Sequence, residues 1–366
     1  MKNKKNEAFE MIAKATKPST LNLEAATKKA EESKTQTISE ALEKMGFVSA
    51  KNVVDKADDK LHWLVQDLIT QEGMIVVAGS SAGGKSRMMT QLAMCVVSGK
   101  DFLGRQVAQM KNPRALIIST EDGIKASGVL MKKQNEDMHL SSEELQRIDF
   151  LFDSSDLLEK LAFYTRNNTP AVVIKDTFSD DFQGDMYKAS EVRSYIQGFM
   201  NILQKCEVQR LDGTTCAPVL IFVHHLHKRA DDMLPSKHNL LGSGGLEAKS
   251  REVLELKTCN QDEREKYLCI TKANYLAPEM KEHAYVLEFS DNLTFSDTGK
   301  VIAFEQINKN AIKSKADDRK YAEIMEMRQC GTSWRKIGEH LCVSESAIRQ
   351  FVERYEKRNN ITDNSN

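Results

Sequence analysis

The chain has 366 residues with 52 basic and 53 acidic side chains, so its net charge of -1 excludes a global field for nucleic acid or membrane, and any basic surface must be local. Seven cysteines, widely spaced and never in a C-x-x-C pair, argue against a disulfide framework and for a reducing cytosol. Lysines open the sequence without an apolar h-region behind them, and no run approaches the roughly 20 apolar residues of a membrane span, so an unexported cytoplasmic protein is expected.

Residues 1–60 are rich in Lys, Glu, Ala, Ser and Thr and poor in large apolar side chains, too few to offset ordering entropy, which predicts a mobile arm. Inside it, the apolar spacing of Ile38, Ala41, Leu42 and Met45 before Gly46 predicts one short helix. From residue 61 to about 305, short apolar runs alternate with helical patterns. The runs Met74-Ile75-Val76-Val77-Ala78, Ala115-Leu116-Ile117-Ile118, Ala171-Val172-Val173-Ile174 and Val219-Leu220-Ile221-Phe222-Val223 read as buried parallel strands. Val253–Leu256, Tyr267–Ile270 and Tyr285–Phe289 follow without long helices between them and predict antiparallel hairpins. The expected class is therefore α/β, a mainly parallel sheet flanked by helices with antiparallel C-terminal strands. Residues 306–315 are polar enough to form a linker, and 316–360 a small all-α module.

Gly79-Ser80-Ser81-Ala82-Gly83-Gly84-Lys85-Ser86 matches G-x-x-x-x-G-K-[ST] and sits after a predicted strand and before a predicted helix, the context this motif requires. Its backbone N–H groups and the helix dipole suit the phosphates of ATP. Lys85 supplies a point charge at the β- and γ-phosphates, and the Ser86 hydroxyl is a ligand for Mg2+. Hydrolysis needs acids at neighbouring strand ends. Asp176, after Val172-Val173-Ile174-Lys175, is the candidate metal-binding acid, and Glu121, after Leu116-Ile117-Ile118-Ser119-Thr120, the candidate to orient or deprotonate water. The alternative for both is capping of the next helix.

The run from Trp63 to about Phe295 resembles the RepA-type branch of RecA-like ATPases, which includes hexameric plasmid replicative helicases. Besides the glycine loop, the resemblance rests on Ser119-Thr120-Glu121-Asp122, Ile174-Lys175-Asp176-Thr177, Val223-His224-His225-Leu226-His227-Lys228, and Leu241-Gly242-Ser243-Gly244-Gly245 followed by Arg251. It implies a RecA-like fold in a homo-oligomer, with His225 sensing the γ-phosphate and Arg251 reaching into the neighbouring subunit's site. An ordinary surface ion pair is the alternative for Arg251. Lys272 matches a strand-end lysine of the wider family, but Asn274 stands where many relatives carry arginine. A metal cluster of His224, His225 and His227 is disfavoured, because strand alternation turns His224 away from His225. The stretch 228–249, with Lys228, Arg229, Lys237 and His238, falls where RecA-like motors place a DNA-binding loop, and reads equally as a solvated loop.

Within 316–360, Ile324 and Met327, then Trp334-Arg335-Lys336-Ile337-Gly338-Glu339-His340-Leu341, then Val343-Ser344 and Ala347-Ile348-Arg349-Gln350-Phe351-Val352, resemble the helix-turn-helix of resolvases and transcription regulators. Ile337, Leu341, Val343, Ile348 and Val352 are spaced to form its core, Ser344 to cap its last helix, and Ser346, Arg349 and Gln350 to face DNA, while Cys342 replaces the usual turn glycine. Acids such as Glu345 and Glu353 leave a protein-docking module as the alternative. Together these features imply a nucleic-acid-dependent ATPase with ATP and Mg2+ and with DNA as its partner, ring-forming in the bacterial cytoplasm, a helicase of a plasmid or other mobile element. The competing expectations are an ATP-controlled DNA-binding regulator and a nucleotide-dependent scaffold.

Overall fold

The computed structural model describes residues 61–358 apart from positions 72, 229, 231–232, 243, 260–263 and 308, together with 41–42, 45–55 and 57 before them. The chain divides into two units, residues 1–60 and 61–366. In the first, a short helix spans Ala50–Asp55, and residues 41–42 are helical. Residues 38–40 and 43–44 of the helix expected at 38–45, and most of the expected arm, lie outside the described residues, and Met45 is in a turn.

The second unit is built on a sheet that, among the described residues, has nine strands. A β-hairpin of β1 (Trp63–Val65) and β2 (Ile69–Thr70) precedes it. The sheet strands are β3 (Gly73–Gly79), β4 (Ala115–Ser119), β5 (Ile148–Leu151), β6 (Val172–Asp176), β9 (Val219–His225), β10 (Glu252–Thr258), β11 (Glu265–Ala273), β12 (His283–Phe289) and β13 (Phe295–Ala303), with a small ribbon of β7 (Val208–Gln209) and β8 (Thr215–Cys216) to one side. Their order is β13-β12-β11-β10-β3-β9-β6-β4-β5, parallel from β10 to β5 and antiparallel from β10 to β13. The run at 253–256, expected in an antiparallel hairpin, pairs with β3 in parallel as well as with β11 antiparallel. A helix at Gly244–Lys249 returns the chain so that β10 enters parallel to β3.

Side-chain alternation divides the core. Ile75 and Val77 face one layer with Met88, Leu92 and Val96 of helix α1 (Lys85–Ser98), whereas Met74, Val76 and Ala78 face the other with α4 (Leu157–Asn167) and α5 (Ala189–Leu203). Between them in sequence lie α2 (Ile124–Met138) and the one-turn α3 (Ser142–Leu145), and the return helix Gly244–Lys249 is α6. Each fully buried aliphatic or aromatic side chain contributes about 1.5–3 kcal/mol relative to exposure, so this two-faced pattern dominates the sheet's stability. No described helix is long and apolar enough to cross a membrane, and among the described residues the seven cysteines form no disulfide.

The C-terminal part is a small helical module of α7 (Lys309–Gln329), α8 (Trp334–His340) and α9 (Glu345–Arg358). The expected linker is helical from Lys309, because its polar residues include neither Gly nor Pro to stop a helix. Ile324, Ile337, Ile348 and Val352 form the core, with Leu341 partly buried. Val343, expected in that core, is exposed. Its backbone explains this. Val343 N–H donates to the Gly338 carbonyl, and a Cβ on Gly338 would stand 2.7 Å from the Val343 oxygen, so the turn closes on a glycine. Cys342 takes φ 53° in this turn, and the Ser344 hydroxyl accepts from Ala347 N–H as a cap.

Candidate active site

Gly79 ends β3, the loop 80–84 follows, and Lys85 and Ser86 open α1. Gly84 carries φ +94°, and the Phe295 ring comes so close that a Cβ there would meet it at 2.9 Å, so this position tolerates only glycine. Ala82 is also left-handed, at φ 59°. The Lys85 ammonium donates to the Ser80 carbonyl at 2.8 Å, holding the loop around itself. Burial lowers the Lys85 pKa from its ordinary value, and the Asp176 and Glu121 carboxylates oppose the fall.

Three further side chains converge from the ends of adjacent strands. Asp176 is the last residue of β6, His225 the last of β9, and Glu121 lies two residues beyond β4. His225 Nε2 is 3.3 Å from Glu121 Oε1. Glu121 and His225 join the segment 81–87 and Leu130 of α2 in lining a cavity of about 260 Å3. A larger one, of about 470 Å3, lies at the other ends of β4, β5 and β6 beside Arg114 and Arg147, and holds none of this chemistry.

Burial pushes the Asp176 carboxyl up to about 6; a hydrogen bond from Ser86 and the cations Lys85 and Lys175 pull it down, while Glu121 pushes it further up. Its Oδ1 is buried without a hydrogen-bond partner among the described residues. A hydroxyl and a carboxylate oxygen in one corner, one of them unsatisfied, form the hard oxygen donor set that suits Mg2+. His224 points the other way, fully buried against Phe178. Burial pushes its imidazole down to about 4, so it is neutral at physiological pH and Nε2–H donates to the Leu241 carbonyl at 2.9 Å. Among the described residues no group of three or more His, Cys, Asp and Glu side chains is placed to hold a metal ion.

A model of the AAA domain matches residues 39–231, more than half of the chain. The chain belongs to the AAA domain family. At that level it is a P-loop ATPase, and the AAA match contains the phosphate loop, Glu121, Asp176 and His225. Arg251 and strands β10–β13 lie beyond the AAA match, so Phe295 reaches the phosphate loop from outside it. No curated protein matches the chain.

Arg251 is not brought to the phosphate loop, Glu121, Asp176 and His225. Its N–H donates to Met74 O at the start of β3, and Glu252 pairs with Ile75 while Leu256 pairs with Gly79. At about 3.3 Å per residue, the five steps from Met74 to Gly79 separate Arg251 from the phosphate loop by roughly 16 Å along the sheet. It lines a separate cavity of about 340 Å3 with Lys249, Gln71 and Tyr275. Lys272 donates to the Glu247 carbonyl at 2.7 Å and pairs with its carboxylate at 3.4 Å.

The described part of 228–249 is anchored. Ser236 N–H and the Asn239 amide donate to the buried Glu255 carboxylate, Lys237 pairs with Glu247, and Lys257 donates to the carbonyls of Ala230 and Met233. Arg229, Asp231, Asp232 and Ser243 lie outside the described residues. In the C-terminal module Ser346, Arg349 and Gln350 are exposed, but Arg349 also pairs with Glu345 at 2.9 Å and lies over the Trp334 ring.

Two residues near the site were not singled out from sequence for their own roles. Lys175 is fully buried beside Asp176, and Thr120 precedes Glu121. A lysine closing an apolar strand run was the visible sign of the first; a threonine after a strand gave no sign of the second.

Proposed function

We propose that this chain is a ring-forming, DNA-dependent ATPase of the RepA-type branch of RecA-like proteins, acting as a helicase in replication or maintenance of a plasmid or other mobile element. The observation that carries the reading is the meeting of Lys85, Ser86, Asp176, Glu121 and His225 at the C-terminal ends of four parallel strands, with Arg251 at the far end of the same sheet.

In this reading the loop 79–84 wraps the ATP phosphates with backbone N–H groups, and Lys85 exchanges its Ser80 carbonyl for phosphate oxygens. Ser86 and Asp176 would hold Mg2+, which would supply positive charge against the phosphates. Glu121 orients the attacking water and takes its proton. His225, on the strand between β3 and β6, reports loss of the γ-phosphate through its contact with Glu121 and passes it to the segment that begins at Leu226. Arg251 is too far from its own phosphate loop to serve it, which supports a site completed by a second copy of the chain in a homo-oligomer, hexameric in the ring reading. Lys272, already engaged by Glu247, is the weaker second cation. Single-stranded DNA occupies the ring interior, and the C-terminal module meets duplex DNA through Ser346, Arg349 and Gln350. The wide spacing of the cysteines fits a reducing compartment, here the bacterial cytoplasm.

The separate core of the C-terminal module favours one competing reading, an ATP-controlled DNA-binding regulator. ATP turnover with and without single-stranded DNA, run beside a forked-duplex unwinding assay, tests both. Stimulated turnover with strand separation supports the helicase. Stimulated turnover without separation supports the regulator, and no stimulation removes the DNA-dependent reading.

A further inference from the structure

Between the two acids of the site lies a polar knot that the motifs leave without a role. Thr120 Oγ1 is its hub. It lies 2.6 Å from Asp180 Oδ2 and 3.0 Å from the Asp176 carbonyl, and accepts from Thr177 N–H at 3.2 Å and Lys175 Nζ at 3.4 Å. A hydroxyl has one hydrogen, and the 2.6 Å contact to the carboxylate is the stronger claim on it. Thr120 N–H also donates to the Asp176 carbonyl at 2.9 Å, extending the β4–β6 pairing one step past Ser119.

Lys175 closes the knot from below. Fully buried, its ammonium donates to the Thr177 carbonyl at 2.6 Å and pairs with Asp181 at 2.9 Å, while Tyr195 donates to the same Asp181 oxygen. Thr177 Oγ1 donates to the second oxygen of Asp180. An apolar residue would fill the place of Lys175 among buried strands at no desolvation cost, so the cation is explained by what it holds. It holds the backbone immediately after Asp176 against the side chain immediately before Glu121. On the other flank of Glu121, Ser119 Oγ donates to the Asp122 carbonyl, so the base sits on a turn fixed at both ends.

We propose that Thr120, supported by Lys175, is a positioning residue that sets the placement of Glu121 relative to Asp176, and thus the attacking water relative to the metal-bound phosphate. The inference rests on the ATPase reading above. Its mechanism is geometric: a small displacement of a catalytic group lowers turnover without weakening phosphate binding, since Lys85 and the loop 79–84 stand outside the knot.

Thr120→Val keeps the shape and removes the hydroxyl; Thr120→Ser keeps the hydroxyl. Steady-state ATP turnover is measured in the full chain with Mg2+ beside the Kd of a non-hydrolysable ATP analogue, with a thermal melt to establish folding. Thr120→Val should lose about tenfold or more in kcat, the scale of a lost hydrogen bond to a charged group, with the analogue Kd changed by less than about threefold. Thr120→Ser should recover most of that loss. Asp180→Asn, at an exposed position, should give a smaller loss of the same kcat-only kind and serves if Thr120→Val does not fold. The proposal is overturned if the folded variants keep full turnover, if kcat and analogue binding fall together, or if Thr120→Ser is as slow as Thr120→Val. Absence of turnover in the unaltered protein sinks the ATPase reading and this inference with it, whereas an active unaltered protein with unaffected variants sinks the inference alone.

Discussion

His225 Nε2 stands 3.3 Å from Glu121 Oε1, linking the last residue of β9 to the turn after β4 across the intervening strand β6. This contact ties the residue proposed to activate water to the strand that leads into the segment 226–242. Glu121→Gln should therefore retain ATP binding and lose hydrolysis, because an amide keeps the shape and the contact to His225 but takes no proton. Nucleotide titration beside phosphate release separates the two. Equal loss of both would mean that Glu121 only caps the turn.

Lys85→Ala should raise the Kd of ATP by at least about tenfold, since a charge-assisted hydrogen bond contributes about 1.5–3 kcal/mol and the loop amides remain. Fluorescence titration with a labelled nucleotide reads this directly. Near-normal affinity and turnover in that variant would remove the proposed site.

Arg251 tests whether the site is shared. Arg251→Ala should leave nucleotide affinity of the isolated subunit intact and cut turnover by a factor on the order of 10³ to 10⁵. Mixing it with Lys85→Ala subunits should restore some activity, because one interface then pairs an intact phosphate loop with an intact arginine. A mixed assembly no more active than its parents, or undiminished turnover in Arg251→Ala alone, would refute the shared site.

Glu252 makes stability depend on pH. Burial pushes its carboxyl from 4.5 up to about 7, despite the Thr70 N–H that donates to both of its oxygens. The folded value lies above the unfolded one, so the contribution of this group is fully present below about pH 4.5 and is lost as pH rises through about 7. Glu252→Gln stays neutral throughout. Relative to the unaltered protein, it should gain on the order of 2 kcal/mol of stability between pH 5 and pH 8. Urea unfolding at the two pH values, without nucleotide, measures that gain, and an unchanged difference would show that Glu252 ionises as freely as in the unfolded chain.

The phosphate loop was legible because its chemistry is local: eight consecutive residues carry both the cradle and the strand-to-helix setting that orients it. The buried strands β3, β4, β6 and β9 were legible for a related reason, as runs with both faces covered must be apolar throughout. Ile148–Leu151 and Phe295–Ala303 were not, because edge strands cover one face or neither and mix Asp, Ser and Lys into the run. What only tertiary structure decided is which distant residues meet. Residue order alone could not bring Phe295 against Gly84, make Thr120 the hub of the segment 175–181, or send Arg251 to the far end of β3, because strand order and register set those distances and no spacing along the chain encodes them.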